Sequence, residues 1–151
     1  MLEFIRIEND NDFPSFLSRS EFVDFLHIHL GEYRDSSEAI NKAIDYAFST
    51  AEGNGGFLML ASLKGKSVGA VVVNRTGMEG YIPENILVYI AVDQKHRGKG
   101  LGRAIMEQIQ NECDGAIALH VEYDNPARRL YERLGFTSKY AEMRYTPKDW
   151  R

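Results

Sequence analysis

Hydrophobic residues follow two spacings along this chain, and each spacing predicts a different kind of element. The longest apolar run, Ile86 to Val92, is typical of a strand that is covered on both faces. Beyond it, apolar residues recur at every fourth position, which predicts an amphipathic helix. They are Leu101, Ile105, Ile109 and Cys113. The stretch between the two elements is rich in glycine and basic residues, so a central strand is expected to lead through a turn into a helix.

Alternating apolar residues and turn residues predict the other elements. Strands are expected at Leu2–Ile7, Phe57–Leu63, Ser67–Val73, Ala116–Tyr123, Phe136–Lys139 and Ala141–Thr146. Helices are expected at Ser20–Leu30 with Ser20 as N-cap, from Ser36 or Ser37 onward, and between Asn125 as N-cap and Gly135 as C-cap. Because a long helix separates the central strand from the next one, these two strands should be parallel. The predicted order is β-α-α-β-β-β-α-β-α-β-β, in a single domain over residues 1–151.

Composition places the chain among ordinary globular proteins, with 44% hydrophobic and 26% charged residues. No apolar run approaches the roughly 18 residues of a membrane span, so no membrane partner is expected. A single cysteine, Cys113, rules out an internal disulfide, and a reducing cytoplasm is the expected location. Cys113 belongs to the apolar residues that recur at every fourth position of the predicted helix, which predicts a packing role for it rather than a reactive one.

Charge is unevenly distributed. The net charge of -4 argues against general nucleic-acid binding. Four basic residues nevertheless lie in one stretch of nine residues that includes the glycine-rich turn: Lys95, Arg97, Lys99 and Arg103. A helix start has unpaired N–H groups and a favourable dipole for anions, so strand, turn and helix together predict a site for a phosphorylated cofactor.

Two common phosphate motifs fit this turn poorly. A P-loop needs a Ser or Thr after Gly-Lys, whereas Gly98-Lys99 is followed by Gly100. A dinucleotide fingerprint needs G-x-G-x-x-G with an acidic residue about twenty positions on, and here only Glu122 keeps that alternative open. A nucleotide-dependent enzyme therefore stays an alternative function, although the turn has neither a magnesium ligand nor a complete dinucleotide fingerprint.

Residues Arg97 to Gly102 fit R-x-x-G-x-G and resemble the pyrophosphate-binding loop of the GNAT superfamily of N-acetyltransferases, [QR]-x-x-G-x-[GA]. A second stretch, Asn125 to Phe136, resembles the other family signature and matches A-x-x-L-Y-x-x-x-G-F in full. Its asparagine stands one residue nearer than in the family pattern, so strict counting selects Asp124. Which of Asp124 and Asn125 contacts the cofactor stays open.

The resemblance implies a mixed α/β fold: a mostly antiparallel sheet with a parallel central pair of strands, flanked by helices. It implies acetyl transfer from acetyl-coenzyme A to a primary amine by direct attack in a ternary complex. The acceptor would be a small molecule, an amino acid, a polyamine, or a peptide N-terminus or lysine. The implied cofactor-binding residues are Ile90, Ala91, Val92, Arg97, Gly98, Lys99, Gly100, Leu101, Gly102, Arg103, Asn125 and Tyr131.

The resemblance also assigns chemical roles. Tyr131 would be the general acid for the leaving thiolate. His120 falls where some relatives carry a glutamate that acts as the general base, and Glu122 and Glu142 are further candidates for that role. No metal is expected, because His27 and His29 are two apart and face different sides of a helix. A domain of this fold that binds acyl-coenzyme A without catalysis is the alternative function. A monomer or homodimer is expected, with Trp150 at a dimer interface or over the substrate.

Overall fold

The computed structural model describes residues 1–149 of the chain, and its elements follow the predicted order through the fourth helix. They are β1 (Leu2–Ile7), α1 (Arg19–His29), α2 (Ser37–Phe48), β2 (Gly56–Leu63), β3 (Lys66–Arg75), β4 (Asn85–Val92), α3 (Leu101–Glu112), β5 (Ile117–Leu119) and α4 (Ala127–Arg133). Two compact units are distinguished, Met1–His120 and a shorter one that begins at Val121. Among the described helices, none has the length and apolar content needed to span a bilayer.

The first two helices begin at serine caps. Ser18 Oγ accepts the Glu21 N–H at 3.1 Å, and Glu21 Oε1 accepts the Ser18 N–H at 2.9 Å. This reciprocal capping box fixes the start of α1 two residues before the predicted cap, Ser20, which was the wrong choice because it lacks such a partner. Ser36 caps α2 by accepting the Ala39 N–H. Of the two predicted start positions, Ser36 and Ser37, the first is therefore the N-cap.

Five strands form one mixed sheet in the order β1-β2-β3-β4-β5. The first three pairings are antiparallel and the β4–β5 pairing is parallel, which confirms the predicted fold class and the parallel pair. β5 is shorter than the predicted Ala116–Tyr123, because only three of its residues pair with β4. β4 is therefore the fourth of five strands and has a short neighbour on one side.

Helices cover both faces of the sheet. α1 and α2 pack on one face, where Phe22, Leu26 and Ile40 are fully buried against the apolar side chains of β2 and β3. α3 packs on the other face and approaches β3 so closely that a Cβ on Gly69 would lie 2.4 Å from Ile105 Cδ1. Glycine at position 69 thus permits the contact that seats α3, and with it the glycine-rich turn, against the sheet.

Cys113 ends α3. It is the C-cap of the helix and donates its N–H to the Ile109 carbonyl at 3.0 Å. The side chain is partly buried, and burial raises the pKa of the thiol to about 11. The thiol is thus held in its neutral form at neutral pH.

The predicted strands at Phe136–Lys139 and Ala141–Thr146 are wrong for the described structure, where residues 136–147 have no regular secondary structure. A strand is stable only when a neighbour pairs with its backbone, and the part of the second unit that the structure describes contains no strand. Apolar residues of the second predicted strand are instead exposed: Met143 by 92% and Tyr145 by 86%. Trp150 lies outside the described residues.

Candidate functional site

The two ends of β4 differ in how their backbone is paired. Asn85 to Leu87 pair with β5 on one side and with β3 on the other. Ile90 to Val92 pair with β3, and the described pairing with β5 has already ended at Leu87. Ile90, Ala91 and Val92, which the family resemblance implies as cofactor-binding residues, thus lie on an open strand edge.

A β-bulge separates these two ends. The register with β3 passes from Val73↔Leu87 to Val72↔Tyr89 and leaves Val88 as the extra residue. As a result, Val88 and Tyr89 both pack against the core beneath α1 and α2. Tyr89 Oη donates to Asp35 Oδ2 at 2.6 Å, which ties the connection between α1 and α2 to the strand. A bulge bends a strand and increases its twist, so it marks the point where β4 and β5 stop pairing.

The glycine-rich turn has a backbone that requires glycine. Gly98 and Gly100 both have φ of 78°, in the left-handed region that side chains disfavour. A Cβ at either position would have no atom within 4 Å, so conformation, not crowding, demands glycine there. Gly100 is the N-cap of α3 and supplies no side-chain hydrogen bond to the first turn. The first N–H groups of α3 are consequently available to an anion.

The four basic residues near this turn fall into two groups. The Arg97 guanidinium donates to the carbonyls of Val92 and His29, so its side chain ties the turn to the ends of β4 and α1. Arg103 lies 3.6 Å from Glu107 in an exposed ion pair. Lys95 and Lys99 are exposed residues. The exposed side chains of Lys95, Lys99 and Arg103 can therefore add attraction for a phosphate, whereas that of Arg97 positions the backbone.

A cavity of about 320 Å³ lies next to the turn, and sequence reasoning missed it. It is lined by His29, Lys66, Ser67, Asp93, Gln94, Lys95 and His96. These residues come from α1, from the start of β3 and from the segment after β4, which are far apart in sequence. Only the clustering of charged residues at 93–97 hinted at it.

The second unit contains the stretch from Asn125 to Phe136, which resembles the second family signature. Asn125 Oδ1 accepts the Ala127 N–H at 2.9 Å and so helps to start α4, although Pro126, not the predicted Asn125, is the N-cap residue. Tyr131 is buried, with 8% of its surface exposed, and packs edge-on against Phe136 with ring centroids 5.9 Å apart. Burial raises the pKa of Tyr131 to about 12. The phenol therefore carries its proton at neutral pH.

The candidate bases lie outside regular structure. β5 ends at Leu119, so exposed His120 follows the strand and Glu122 lies beyond the strand as well. Glu142 does not lie on a strand either, and its carboxylate is paired with Arg144 at 2.8 Å. The predicted strand placement of Glu122 and Glu142 was wrong because those strands lack pairing partners. Among the residues that the structure describes, no group of three or more His, Cys, Asp or Glu side chains could hold a metal.

Comparisons with known proteins identify relatives of this chain. Residues 54–138 match the sequence model of a family described as acetyltransferase (GNAT) domain. The chain is 33% identical to N-alpha-acetyltransferase 30 of Xenopus laevis over 57% of its own length and 33% of the relative. It is 31% identical to mycothiol acetyltransferase of Arthrobacter sp. (strain FB24) over 62% of its length and 31% of that relative. The chain thus spans about a third of the length of these curated relatives.

Solved structures share the fold. A ribosomal-protein-alanine N-acetyltransferase from Brucella melitensis biovar Abortus 2308 superposes with a TM-score of 0.68 at 16% identity. The match covers 97% of this chain and 99% of the other. At that level of identity the likeness extends to the arrangement of helices and strands alone.

Proposed function

The chain belongs to the GNAT acetyltransferase family, and from that membership we propose that it transfers an acetyl group from acetyl-coenzyme A to a primary amine. One observation carries the proposal: β4 loses its β5 neighbour before Ile90–Val92 and then enters a turn with positive-φ glycines at a helix start. An open strand edge can bind an extended amide chain such as the pantetheine arm, as an added strand would. The turn and helix start suit a pyrophosphate.

The cofactor-binding roles follow from these positions. Backbone groups of Ile90, Ala91 and Val92 would pair with the pantetheine amides. The N–H groups of Gly98 to Gly102, including that of Leu101, would surround the pyrophosphate, with the side chains of Lys99 and Arg103 nearby. Asn125, with Asp124 as the alternative, would also contact the cofactor. Exposed charges contribute little individually, so the backbone supplies most of the recognition.

The proposed reaction is a direct attack of the neutral amine on the thioester carbonyl. A carbon–nitrogen bond forms and the carbon–sulfur bond breaks. The thiolate leaves with a proton donated by Tyr131, the attacking nitrogen gives up one proton to water, and Tyr131 takes a proton back from water. A backbone N–H of β4 would stabilise the developing oxyanion, a contact worth roughly 3 kcal/mol in other acyl transfers. An alkylamine is mostly protonated at neutral pH, so a base must first remove a proton. We propose His120 for this role, with Glu122 and Glu142 as the other candidates.

The acceptor is proposed to be cationic before it is deprotonated. Glu32 and Asp35 are exposed in the connection between α1 and α2, and Asp35 is held to β4 by Tyr89. Carboxylates placed there would attract an ammonium group toward the open end of the strand. The relatives are named for different acceptors, so the class proposed is a primary amine on a small molecule, a polyamine or a peptide.

Calorimetric titration with acetyl-coenzyme A tests the proposal. We expect micromolar binding, weaker binding of the dephosphorylated analogue, and release of free thiol when amines are added. The desulfo analogue should bind but release no thiol. Absence of binding at millimolar acetyl-coenzyme A would contradict the proposed function, and binding without thiol release from any amine would favour a non-catalytic acyl-coenzyme A-binding domain.

A further inference from the structure

His29 joins the end of α1 to the segment that leads into the glycine-rich turn. Its Nδ1 accepts the Gln94 N–H at 3.2 Å, and its carbonyl accepts a hydrogen bond from the Arg97 guanidinium. Its ring packs on Phe25 with centroids 4.4 Å apart and is 16% exposed. One residue of α1 therefore holds two points of the segment immediately before Gly98.

The contact with Gln94 defines the protonation state of the imidazole. An acceptor nitrogen carries no hydrogen, so the neutral ring bears its hydrogen on Nε2, which lies 3.8 Å from Asp93 Oδ2. Protonation of Nδ1 would set an N–H group against the Gln94 N–H, and the hydrogen bond would be lost. The contact is thus available only to neutral His29.

Burial of the ring favours that neutral form, and the charged groups around it act in both directions. Lys66, Lys95 and His96 line the same cavity as His29, and Arg97 contacts its carbonyl. Asp93 is the one carboxylate among the described residues that line the cavity, and its Oδ1 already accepts the Lys95 N–H at 2.8 Å. Burial lowers the pKa of His29 below its ordinary value, Asp93 opposes the shift, and Arg97 adds to it.

We propose that His29 is a positioning residue that keeps the glycine-rich turn in its anion-binding conformation while its imidazole is neutral, and releases the turn when it is protonated. The inference rests on the proposed function of the turn as a pyrophosphate site. Because the folded state disfavours protonated His29, the contact is complete above the ordinary histidine pKa of about 6.5 and is lost as the pH falls below it.

The test compares four proteins with dephospho-coenzyme A as the ligand. This ligand lacks the phosphate monoester, whose own second pKa of about 6 would otherwise contribute to the pH dependence. Kd is measured at about pH 7.5 and about pH 5 for the unmodified chain, His29→Asn, His29→Leu and His27→Asn. Asparagine offers an acceptor oxygen near the position of Nδ1 without titrating, whereas leucine offers none. His27, on the same helix, is the control, because its ring contacts the Asp35 carbonyl instead.

Loss of one hydrogen bond should weaken binding roughly three- to tenfold. We expect this weakening at low pH in the unmodified chain and in His27→Asn, and at both pH values in His29→Leu. His29→Asn should show a smaller pH dependence, and since Asp93 and His96 remain in it, the difference isolates His29. An equal pH dependence in the unmodified chain and His29→Asn would overturn the inference.

A second measurement separates this inference from the proposed function. Nitrogen-15 NMR follows the His29 ring and the amides of Gln94, Gly98 and Gly100 without any ligand. We expect the amide shifts to titrate with the midpoint of the ring. If neither acetyl-coenzyme A nor dephospho-coenzyme A binds, the proposed function is lost, and the amide titration alone tests the coupling. Amide shifts that do not follow the midpoint of the ring titration would refute it.

Discussion

The beginning and the end of β4 show opposite uses of the same strand. At the beginning, Asn85 is 3% exposed and its Nδ2 donates to the Asp114 carbonyl at 2.7 Å. There Glu84 Oε1 also accepts the Ala116 N–H at 2.8 Å, so side chains reinforce the pairing with β5. At the end, Ile90 to Val92 have left β5 and continue into glycine residues with positive φ.

This difference shows how one strand can be both fixed and open. An unpaired strand edge attracts other chains, and proteins usually keep such edges short or interrupted. In β4 the bulge at Val88 and the turn at Gly98 limit the open edge to a few residues. The closed beginning holds the strand in place, so the open end can present unpaired backbone groups to a ligand without loss of order.

Substitution at the open end should have the largest effect. Gly100→Val places a β-branched residue at φ of 78°, which distorts the turn at the start of α3. We expect acetyl-coenzyme A affinity to fall by at least about 100-fold, measured by calorimetry, because several N–H contacts are lost together. Backbone strain of about 1–2 kcal/mol should leave the protein folded.

Gly80→Val is the matched control for that variant. Gly80 has φ of 87° and open space around its Cβ position, but it lies in the loop before β4. It should show a similar loss of thermal stability with little change in affinity. Normal affinity in Gly100→Val would mean that the turn is not the phosphate site.

Tyr131→Phe tests whether the proposed acetyl transfer needs the Tyr131 phenol as a proton donor. We expect kcat to fall roughly 10- to 1,000-fold, because a general acid contributes on that order, with coenzyme A affinity nearly unchanged. Steady-state kinetics with thiol detection measures it. Tyr81→Phe, at an exposed residue of the loop before β4, should leave kcat unaltered. An unaltered kcat in Tyr131→Phe would remove this residue from the mechanism.

Asn85→Ala should weaken the beginning of β4, where the strand is paired with β5. The substitution removes the two hydrogen bonds from the Asn85 side chain to the carbonyls of Asp114 and Ala116, which should lower the free energy of unfolding by about 1–3 kcal/mol. Denaturant unfolding measures the change. Asn111→Ala, at an exposed position of α3, should stay within about 0.5 kcal/mol. If both variants were equally stable, the side chain of Asn85 would not reinforce the pairing with β5.

Local patterns were sufficient to predict much of this molecule. The apolar run of β4, the four-residue period of α3 and the signals at Gly98 and Gly100 depend on neighbours in sequence, and the structure has these elements where predicted. The length of β5 and the absence of strands from residues 136–149 depend on whether a partner backbone is present, which alternation cannot reveal. The cavity beside His29 likewise arises from elements distant in sequence.

The state of Cys113 has a practical consequence for enzymology. A thiol with a pKa of about 11 has roughly one thiolate in three thousand molecules at about pH 7.5. Since this is the only cysteine of the chain, chromogenic disulfide reagents should react with released coenzyme A much faster than with the protein. Acetyl transfer could then be followed continuously, without a background from the enzyme and without inactivation by mixed-disulfide formation.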